Sequence, residues 1–330
     1  MAGSTIGRLL TLTTFGESHG KAIGAVLDGF PAGMALSEED IQPYLDRRRP
    51  NASALSTSRK ESDRVELLSG VFEGRTTGTP IAMLLRNEDA HSSDYDALKD
   101  LYRPGHADMT YDAKYGFRDH RGGGRSSGRE TAARVMGGAV CAKLLKELGI
   151  TVQAKALTVG TPAEGDSAGG VIEVVMKGVP AGVGDPVFDK LDARLASALM
   201  SIGAVKAVEV GAGVSASSMR GSEMNDAFTA EDGQIKTKTN HAGGILGGIS
   251  NGMPVVLRCH VKPTPSISLP QESVNRRGGS VTIEIGGRHD AVIVPRAVVV
   301  AECMCAFTLL DLMLSGMGAR MEDVKKRYSL

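Results

Sequence analysis

The sequence lacks several features that would assign it to a specialised class of protein. Its 330 residues include no tryptophan, only 4% aromatic residues and four cysteines, Cys141, Cys259, Cys303 and Cys305. None of these cysteines forms a CxxC pair, and a disulfide framework is not expected at this length, so we predict reduced thiols in a cytoplasmic protein. The sequence shows no signal-peptide pattern and no metal-ligand spacing, and we expect no metal site.

The sequence also lacks an excess of charge of either sign, because 38 Lys and Arg residues balance 38 Asp and Glu residues. Proteins dedicated to nucleic acids or membrane surfaces usually carry a basic excess, so we expect neither as a partner. The one long apolar stretch, residues 297–314, is interrupted by Glu302 and Asp311. It therefore predicts a buried core helix in place of a membrane span.

The order of helix and strand signals predicts an α+β fold without a regular βαβ rhythm. We predict helices at residues 37–48, 129–148, 185–201 and 296–314, and strands at 81–85, 151–159, 171–177, 204–210, 253–261 and 281–285. Several of the strands alternate polar and apolar residues, which favours antiparallel sheets with one covered face. Segments 86–128 and 240–252 are predicted long loops, and no linker divides the chain, so we expect one domain over residues 1–330.

The densest cluster of arginine and glycine lies in segment 118–129, just before a predicted helix. Four arginines and four glycines fall within these 12 residues. Arginine offers a planar fork of donors for phosphate and carboxylate, and glycine-rich backbone at a helix N-terminus binds anions. Together with His106 upstream, the segment from Arg103 to Arg129 predicts a site for a phosphate-bearing small molecule. A solvated basic loop is the alternative, and neither a GxGxxG nor a Walker pattern is present.

Three further patterns carry candidate chemistry. His106 follows a Pro-Gly turn close to arginines, which favours its neutral form yet leaves it able to deliver a proton. Residues 15–20 fit the G-x-S-x-G pattern of a hydrolase nucleophile elbow, but too few residues precede them, and a turn that exposes His19 is the other interpretation. Near the C-terminal end, Arg288, His289 and Asp290 follow a glycine pair.

Taken together, these segments resemble the chorismate synthase family. Residues 16–20, 124–131 and 287–290 match its three signatures, with Gly128 where alanine is more usual. Residues 103–108, 240–244 and 262–264 also match. The matches occur in family order and run from residue 5 to about residue 314.

The resemblance implies a lyase of the shikimate pathway, which leads to the aromatic amino acids. The reaction is the anti-1,4-elimination of phosphate from 5-enolpyruvylshikimate 3-phosphate, giving chorismate, with reduced FMN required but no net redox change. The resemblance also implies a homotetramer whose subunits are single β-α-β sandwich domains. A catalytically silent flavin- or nucleotide-binding protein is the competing hypothesis.

The resemblance also implies roles for individual residues. His106 would protonate or hold the reduced flavin, His19 would lie near the departing phosphate as an acid, and Asp290 would assist proton removal through the flavin N5. The implied substrate-binding residues are Arg48, Arg103, Ser127, Arg129 and Arg288. The implied FMN-binding residues are Arg125, Ser126, Ser127, Gly203, Ala204, Gly247, Lys262, Pro263, Thr264, Pro265, Ser266 and Arg288.

One position departs from the family pattern. In the family, a second arginine often follows the triplet Arg47-Arg48-Arg49 by about six positions and is associated with NADPH or substrate phosphate, whereas Ala54 stands here. This departure argues against an NADPH site, although NADPH stays the alternative reductant, and an external flavin reductase is the expected source of reduced FMN.

Overall fold

A computed structural model describes residues 3–49, 62–87, 98–231, 233–285 and 290–329. The helices are α1 (Glu38–Arg48), α2 (Asp108–Tyr115), α3 (Thr131–Glu147), α4 (Leu191–Met200), α5 (Gly221–Met224), α6 (Val294–Ser315) and α7 (Met321–Tyr328). The strands are β1 (Thr5–Gly7), β2 (Thr11–Phe15), β3 (Ala22–Asp28), β4 (Val65–Leu67), β5 (Val71–Phe72), β6 (Arg75–Thr76), β7 (Ile81–Arg86), β8 (Thr151–Val159), β9 (Gly170–Lys177), β10 (Val205–Val210), β11 (Phe228–Glu231), β12 (Gln234–Thr237), β13 (Ile245–Leu246), β14 (Ile249–Ser250), β15 (Val255–Val261), β16 (Gln271–Val274) and β17 (Ser280–Ile283).

Two antiparallel sheets make up most of the strand structure. The first has the order β1-β2-β3-β7-β4 and the second the order β10-β15-β9-β8. Along β15, Val255, Leu257, Cys259 and Val261 are buried while the residues between them are partly exposed. This alternation follows from the two-residue period of a strand and covers one face of the sheet, as the sequence predicts.

Helices cover the inner faces of the two sheets. Helix α3 packs on β2, β3 and β7 of the first sheet, and α6 packs on β8 and β9 of the second. The two helices also pack on each other, with α1 against both and α4 against α6. The chain is thus an α+β protein in which helices and antiparallel sheets share one apolar core.

Helix α6 explains the long apolar stretch of the sequence. Among the described residues, one helical stretch, Val294–Gly318, is long and apolar enough to cross a membrane, and 78% of its most apolar window is buried inside the protein. In the core, α6 packs against α3 and the second sheet. Pro295 lies in the first turn of α6, where proline is tolerated. The prediction of a buried core helix is confirmed.

Three predicted helices and five predicted strands agree with the structure to within a few residues, and 281–285 appears as the shorter β17. The helix predicted at 185–201 begins too early, because α4 starts only at Leu191. Asp185 and Pro186 begin a turn and do not cap a helix. Asp185 N donates to Asp189 O at 3.2 Å, and Val187 takes a left-handed φ of 71°, which breaks the helical path.

The two predicted long loops contain regular structure that polar composition concealed. Helix α2 lies within segment 86–128, directly after His106, and ends at Gly116 with φ 70°. The β13–β14 hairpin lies within segment 240–252. The prediction of structureless loops is therefore wrong for these parts, whereas residues 88–97 lie outside the described part of the chain.

Candidate functional site

The glycine-rich segment 122–126 is fastened to the turn that follows β2. Arg125 Nη1 donates to Gly16 O at 3.1 Å, and its Nη2 donates to Thr14 O at 3.0 Å and to Thr14 Oγ1 at 2.6 Å. The Thr14 hydroxyl in turn donates to Glu130 at 2.9 Å. Arg125 thereby holds the segment against the first sheet.

His19 lies in the turn that Arg125 anchors, directly against Gly122. A Cβ atom at Gly122 would stand 2.6 Å from both His19 Cδ2 and Ser18 Oγ, and Gly122 has a φ of 70°. Only glycine allows this close approach at this backbone angle. The two ends of the predicted site, residues 16–20 and 118–129, therefore meet in the fold.

Asn87, at the end of β7, connects the His19 turn to Arg129. Its Nδ2 donates to the carbonyls of Glu17 at 3.2 Å and Gly20 at 2.9 Å. Its Oδ1 accepts a hydrogen bond from Arg129 Nε at 3.1 Å. A single amide thus fixes the position of the histidine turn relative to a buried arginine.

Arg48 and Arg129 meet at the carboxylate of Asp63. Arg48 Nη2 donates to Asp63 Oδ2 at 2.5 Å, and Arg129 Nη1 donates to Asp63 Oδ1. The exposed fractions of the three residues are 2%, 6% and 0%. Burial alone would raise the pKa of Asp63, but the two guanidinium groups outweigh it and hold that pKa below its usual value.

The same neighbourhood acts on Arg48. Burial, opposed by Asp63 and assisted by the positive charges of Arg296 and Arg129, lowers the pKa of Arg48 to about 10. Among the described residues, two guanidinium groups face one carboxylate here, in a buried place. Such a cluster is suited to an anionic ligand.

Asp290 joins this cluster through Arg296. Arg296 Nε donates to Arg48 O at 3.1 Å, and its Nη1 donates to Asp290 Oδ2. The Asp290 carbonyl accepts from Thr264 Oγ1 at 2.8 Å, which places the 262–266 segment beside it. The predicted catalytic Asp290 and the predicted substrate residues Arg48 and Arg129 are thus brought together.

His106 closes the network on the other side of the 262–266 segment. Its Nδ1 lies 3.0 Å from Pro104 O and its Nε2 lies 2.9 Å from Ser266 Oγ. Because a carbonyl only accepts, Nδ1 carries the proton of a neutral ring, and Nε2 accepts from the Ser266 hydroxyl. A proton gained by His106 would therefore reside on Nε2 and could be passed on from there.

Arg103 is bound from within the chain. Its Nε and Nη2 donate to the two carboxylate oxygens of Asp108, each at 2.8 Å, and Nη2 also donates to Gly122 O at 2.9 Å. Arg118 lies 2.9 Å from the same carboxylate and donates to the carbonyls of residues 98, 99 and 101. Arg103 thus ties the His106 turn to the glycine-rich segment.

The remaining predicted flavin residues fall in two places. Lys262 N donates to Ala204 O at 2.9 Å, so Gly203 and Ala204 adjoin the 262–266 segment. Gly247 lies in the β13–β14 hairpin, whose Gly248 carbonyl accepts from Leu191 N at the start of α4. Gly203 instead follows the C-terminal end of α4. The ten residues of this helix span about 15 Å and separate Gly203 from Gly247.

Ser126 ends the first of two short 3-10 turns that lead into α3, and Ser127 lies between the two turns. Ser126 Oγ donates to Gly123 O at 2.7 Å, and Ser127 Oγ accepts from Arg129 N at 3.3 Å as a helix cap. A cavity of about 260 Å³ opens beside this segment, lined by Glu17, Ala107, Asp108, Tyr111, Tyr115, Phe117, Arg118, Asp119, Gly122, Gly123, Gly124, Arg125 and Ser126. Arg288 and Ala54 lie outside the described residues.

Sequence reasoning missed Asp63, Asn87 and Asp108, which organise the site. Asp63 and Asn87 are single polar residues without a local pattern, and the partners of Asp63 lie 15 and 66 positions away in sequence. Asp108 stands in the matched segment 103–108, but no role was predicted for it. One signal was available, namely the excess of arginines over acidic residues within segment 118–129. Because buried arginines need carboxylate partners, those partners must come from elsewhere in the chain.

The nucleophile-elbow interpretation of residues 16–20 does not agree with the structure. An elbow places its serine between a strand and a helix, exposed above the sheet. Here the turn lies between β2 and β3, which pair with each other as antiparallel strands, and Ser18 is buried. The pattern therefore marks a tight turn that positions His19.

Comparison with known proteins shows which family the chain belongs to. The family model described as chorismate synthase matches residues 10–164 and 161–314. The chain is 55% identical to a chorismate synthase of Methanocella arvoryzae, covering 96% of this chain and 95% of that protein. It is 52% identical to one of Lachnoclostridium phytofermentans, covering 99% and 100%.

A solved structure extends the comparison to the fold. A crystal structure of chorismate synthase superposes with a TM-score of 0.73 at 32% sequence identity, covering 98% of this chain and 97% of that one. The signature residues, the contacts that unite them and these similarities lead to one conclusion. The chain belongs to the chorismate synthase family, whose members are lyases of the shikimate pathway.

Proposed function

We propose that the chain converts 5-enolpyruvylshikimate 3-phosphate to chorismate by anti-1,4-elimination of phosphate, with reduced FMN as cofactor. The observation that carries this proposal is the contact network from His19 through Arg129 and Arg48 to Asp290 and His106. It joins a buried cationic cluster to candidate acids on one side of the fold. A substrate with two carboxylates and a phosphate matches that charge.

The arginines would neutralise the substrate's three anionic groups. Arg48 and Arg129 supply two guanidinium groups on either side of Asp63, and Ser127 adds a hydroxyl at the start of the short helix that leads to α3. Arg103 and Arg288 complete the proposed set, although Arg288 lies outside the described residues. Holding all three groups would fix the ring so that the leaving phosphate faces His19.

His19 would act as the acid for the departing phosphate. The turn that carries it is fixed by Asn87 on one side and by Gly122 on the other. Such fixed placement lets a general acid meet the developing charge without a reorganisation cost. Asp290, oriented by Arg296, would assist removal of the ring proton.

The residues around the 262–266 segment fit a flavin mononucleotide. Burial, and next the neighbouring Lys206, lower the pKa of Lys262, so two cations stand together where a phosphate group could neutralise them. Arg125, Ser126, Ser127, Gly203, Ala204, Gly247, Pro263, Thr264, Pro265, Ser266 and Arg288 are the other proposed contacts. Reduced FMN, when bound, supplies transient electron donation to a C–O bond that proton transfer alone breaks with difficulty.

Several broader expectations of the family belong to the same proposal. The subunit would be a single domain, a β-α-β sandwich with α1, α3, α4 and α6 as its central layer, and four subunits would form a homotetramer. The protein would work in the cytoplasm. Since Ala54 replaces an arginine associated with NADPH, an external flavin reductase would supply reduced FMN.

An anaerobic assay tests the proposed reaction. The chain is mixed with 5-enolpyruvylshikimate 3-phosphate and chemically reduced FMN, and phosphate and chorismate are measured. Enzymatic release of both supports the lyase. Binding of FMN with no phosphate release would favour the silent flavin-binding protein. The same assay with oxidised FMN and NADPH tests the reductase expectation, and we expect no turnover.

A His106→Ala variant tests the proposed role of the ring. We expect FMN binding to be retained and turnover to fall by roughly 10²–10⁴-fold, the range for one general acid. Binding of oxidised FMN by fluorescence quenching provides the control. Full turnover in this variant would contradict the role of His106.

A further inference from the structure

Asp63 has no part in the family signatures, yet it occupies the centre of the cationic cluster. Each of its oxygens binds a different arginine, Arg48 and Arg129, and the residue is completely buried. The removal of either partner from such an arrangement leaves an uncompensated charge inside the protein. A carboxylate that bridges two guanidinium groups also fixes the distance between them.

The backbone of Asp63 is held as firmly as its side chain. Gln42 of α1 donates from Nε2 to Asp63 O at 3.0 Å and accepts at Oε1 from Val65 N at 3.2 Å. Asp63 takes a left-handed φ of 47°, which asparagine and aspartate tolerate better than most residues. Its position is therefore determined by α1, the helix that also carries Arg48.

Arg48 keeps a hydrogen-bond donor within this cluster. The Nε atom of Arg48 is buried and has no hydrogen-bond partner among the described residues. The adjoining Arg296 is bound to Asp290. An anion that reached the cluster would meet this donor beside the two guanidinium groups that Asp63 holds together.

We propose that Asp63 is a positioning residue that clamps Arg48 and Arg129 into one receptor for an anionic group of the substrate. The inference rests on the proposed function for the identity of that substrate. Without the clamp, the two guanidinium groups repel each other and adopt separate positions. The alternative is that Asp63 occupies the place of the substrate anion and competes with it.

An Asp63→Asn variant separates the two possibilities because asparagine keeps the shape and tolerates the left-handed backbone. We expect KM for 5-enolpyruvylshikimate 3-phosphate to rise roughly 10–100-fold, by analogy with the loss seen when the partners that orient metal-binding side chains are removed. An unchanged or lower KM would overturn the proposal, and a lower KM would identify Asp63 as a competitor.

Asp311→Asn is the matched control, since Asp311 is equally buried and binds Arg194 and the backbone of residues 8–10 away from the site. We expect it to lower the melting temperature but to leave KM unchanged. If Asp311→Asn raised KM as much as Asp63→Asn does, the effect would be a general consequence of lost stability, and the proposal would be wrong.

The pH dependence of KM supplies a second readout. The groups that face Arg48 are Asp63, Arg129 and Arg296, the last bound to Asp290. Loss of the Asp63 charge destabilises the protonated Arg48, so the basic limb of the KM profile should move to lower pH in Asp63→Asn. An unmoved limb would contradict the clamp.

Calorimetric titration with inorganic phosphate keeps this test independent of turnover. If the unchanged chain failed the anaerobic assay, the proposed function would be wrong, whereas the clamp would still be tested by phosphate binding. Weaker binding to Asp63→Asn than to the unchanged chain supports the clamp. Equal or tighter binding overturns it.

Discussion

Asp63 and Asp108 each bind two buried arginines, yet the two clusters differ in the other groups that their arginines reach. Around Asp108, the arginines are Arg103 and Arg118, and Asp112, which Arg276 binds at 3.1 Å, lies 3.8 Å from Arg118 as a second carboxylate. Around Asp63, Arg48 and Arg129 share a single carboxylate within the described part of the chain. The arginines of the first cluster also donate to four backbone carbonyls, those of residues 98, 99, 101 and 122.

The difference indicates two uses of the same residue types. Arg118 also donates to three backbone carbonyls and stacks on the Tyr102 ring at 5.6 Å, so it holds together the backbone on both sides of the His106 turn. At Asp63, the buried Nε of Arg48 has no hydrogen-bond partner among the described residues and is placed to donate to a ligand. A high density of arginines in a motif therefore identifies the region of a site. The partners of each arginine then indicate whether that arginine stabilises the fold, as around Asp108, or is placed to bind a ligand, as around Asp63.

The largest expected effect comes from removing one arginine of each cluster. Arg129→Met should lower kcat/KM by roughly 10²–10³-fold, because it deletes a substrate contact and leaves Asp63 with one partner. Arg118→Met should instead lower the free energy of unfolding by about 3–5 kcal/mol, with kcat/KM of the folded protein changed less than about tenfold. Urea unfolding and steady-state kinetics on both variants measure the two effects, and the reverse pattern would refute the distinction.

A smaller effect should appear in the pH dependence of stability. Partner arginines, acting against burial, hold the pKa of both Asp63 and Asp108 below its usual value. A carboxyl whose pKa is depressed by folding stabilises the folded state above its unfolded pKa of about 4, and this contribution is lost as pH falls through the folded pKa.

The unfolding free energies of the unchanged chain and of Asp63→Asn and Asp108→Asn should therefore differ most near pH 7 and converge towards pH 3. Urea unfolding at several pH values measures this convergence. A difference that stays constant from pH 7 to pH 3 would show that neither carboxylate owes its contribution to ionisation.

The smallest expected effect concerns the framework cluster alone. Tyr102→Leu removes the ring under Arg118 and should cost about 0.5–2 kcal/mol of unfolding free energy, the range of a cation–π contact. We expect kcat and KM to remain within about twofold of the unchanged chain. If Tyr102→Leu changed kcat or KM strongly while leaving the free energy of unfolding nearly unchanged, Tyr102 would act with Arg48, Asp63 and Arg129 in substrate binding.

Much of the fold was predictable because its longer elements have a distinct composition and clear ends. Strands β8 and β9 are rich in Val and Ile or Thr, α6 is a long apolar run, and Gly149 ends the segment that forms α3. The start of α4 was not predictable, since Asp185-Pro186 is as suitable for a turn as for a helix cap, and tertiary contacts of Asp189 with Arg8 and Arg194 decide between them. Helix α2 was missed because its sequence is mostly polar.

The site was predictable in part, for a related reason. His19, His106 and Asp290 stand in local patterns, and the structure brings their segments together. Asp63 and Asn87 stand in no pattern, and their importance arises only when distant segments meet. Residues that hold a site together through long-range contacts leave no periodic or spacing signal in a single sequence.

The most direct test of the receptor is a crystal structure of the chain with 5-enolpyruvylshikimate 3-phosphate and oxidised FMN. An anionic group of the substrate should lie within hydrogen-bond distance of both Arg48 and Arg129, about 2.7–3.2 Å, while both arginines remain bound to Asp63. A substrate that leaves this cluster untouched, or that displaces the Asp63 carboxylate from the arginines, would contradict the account.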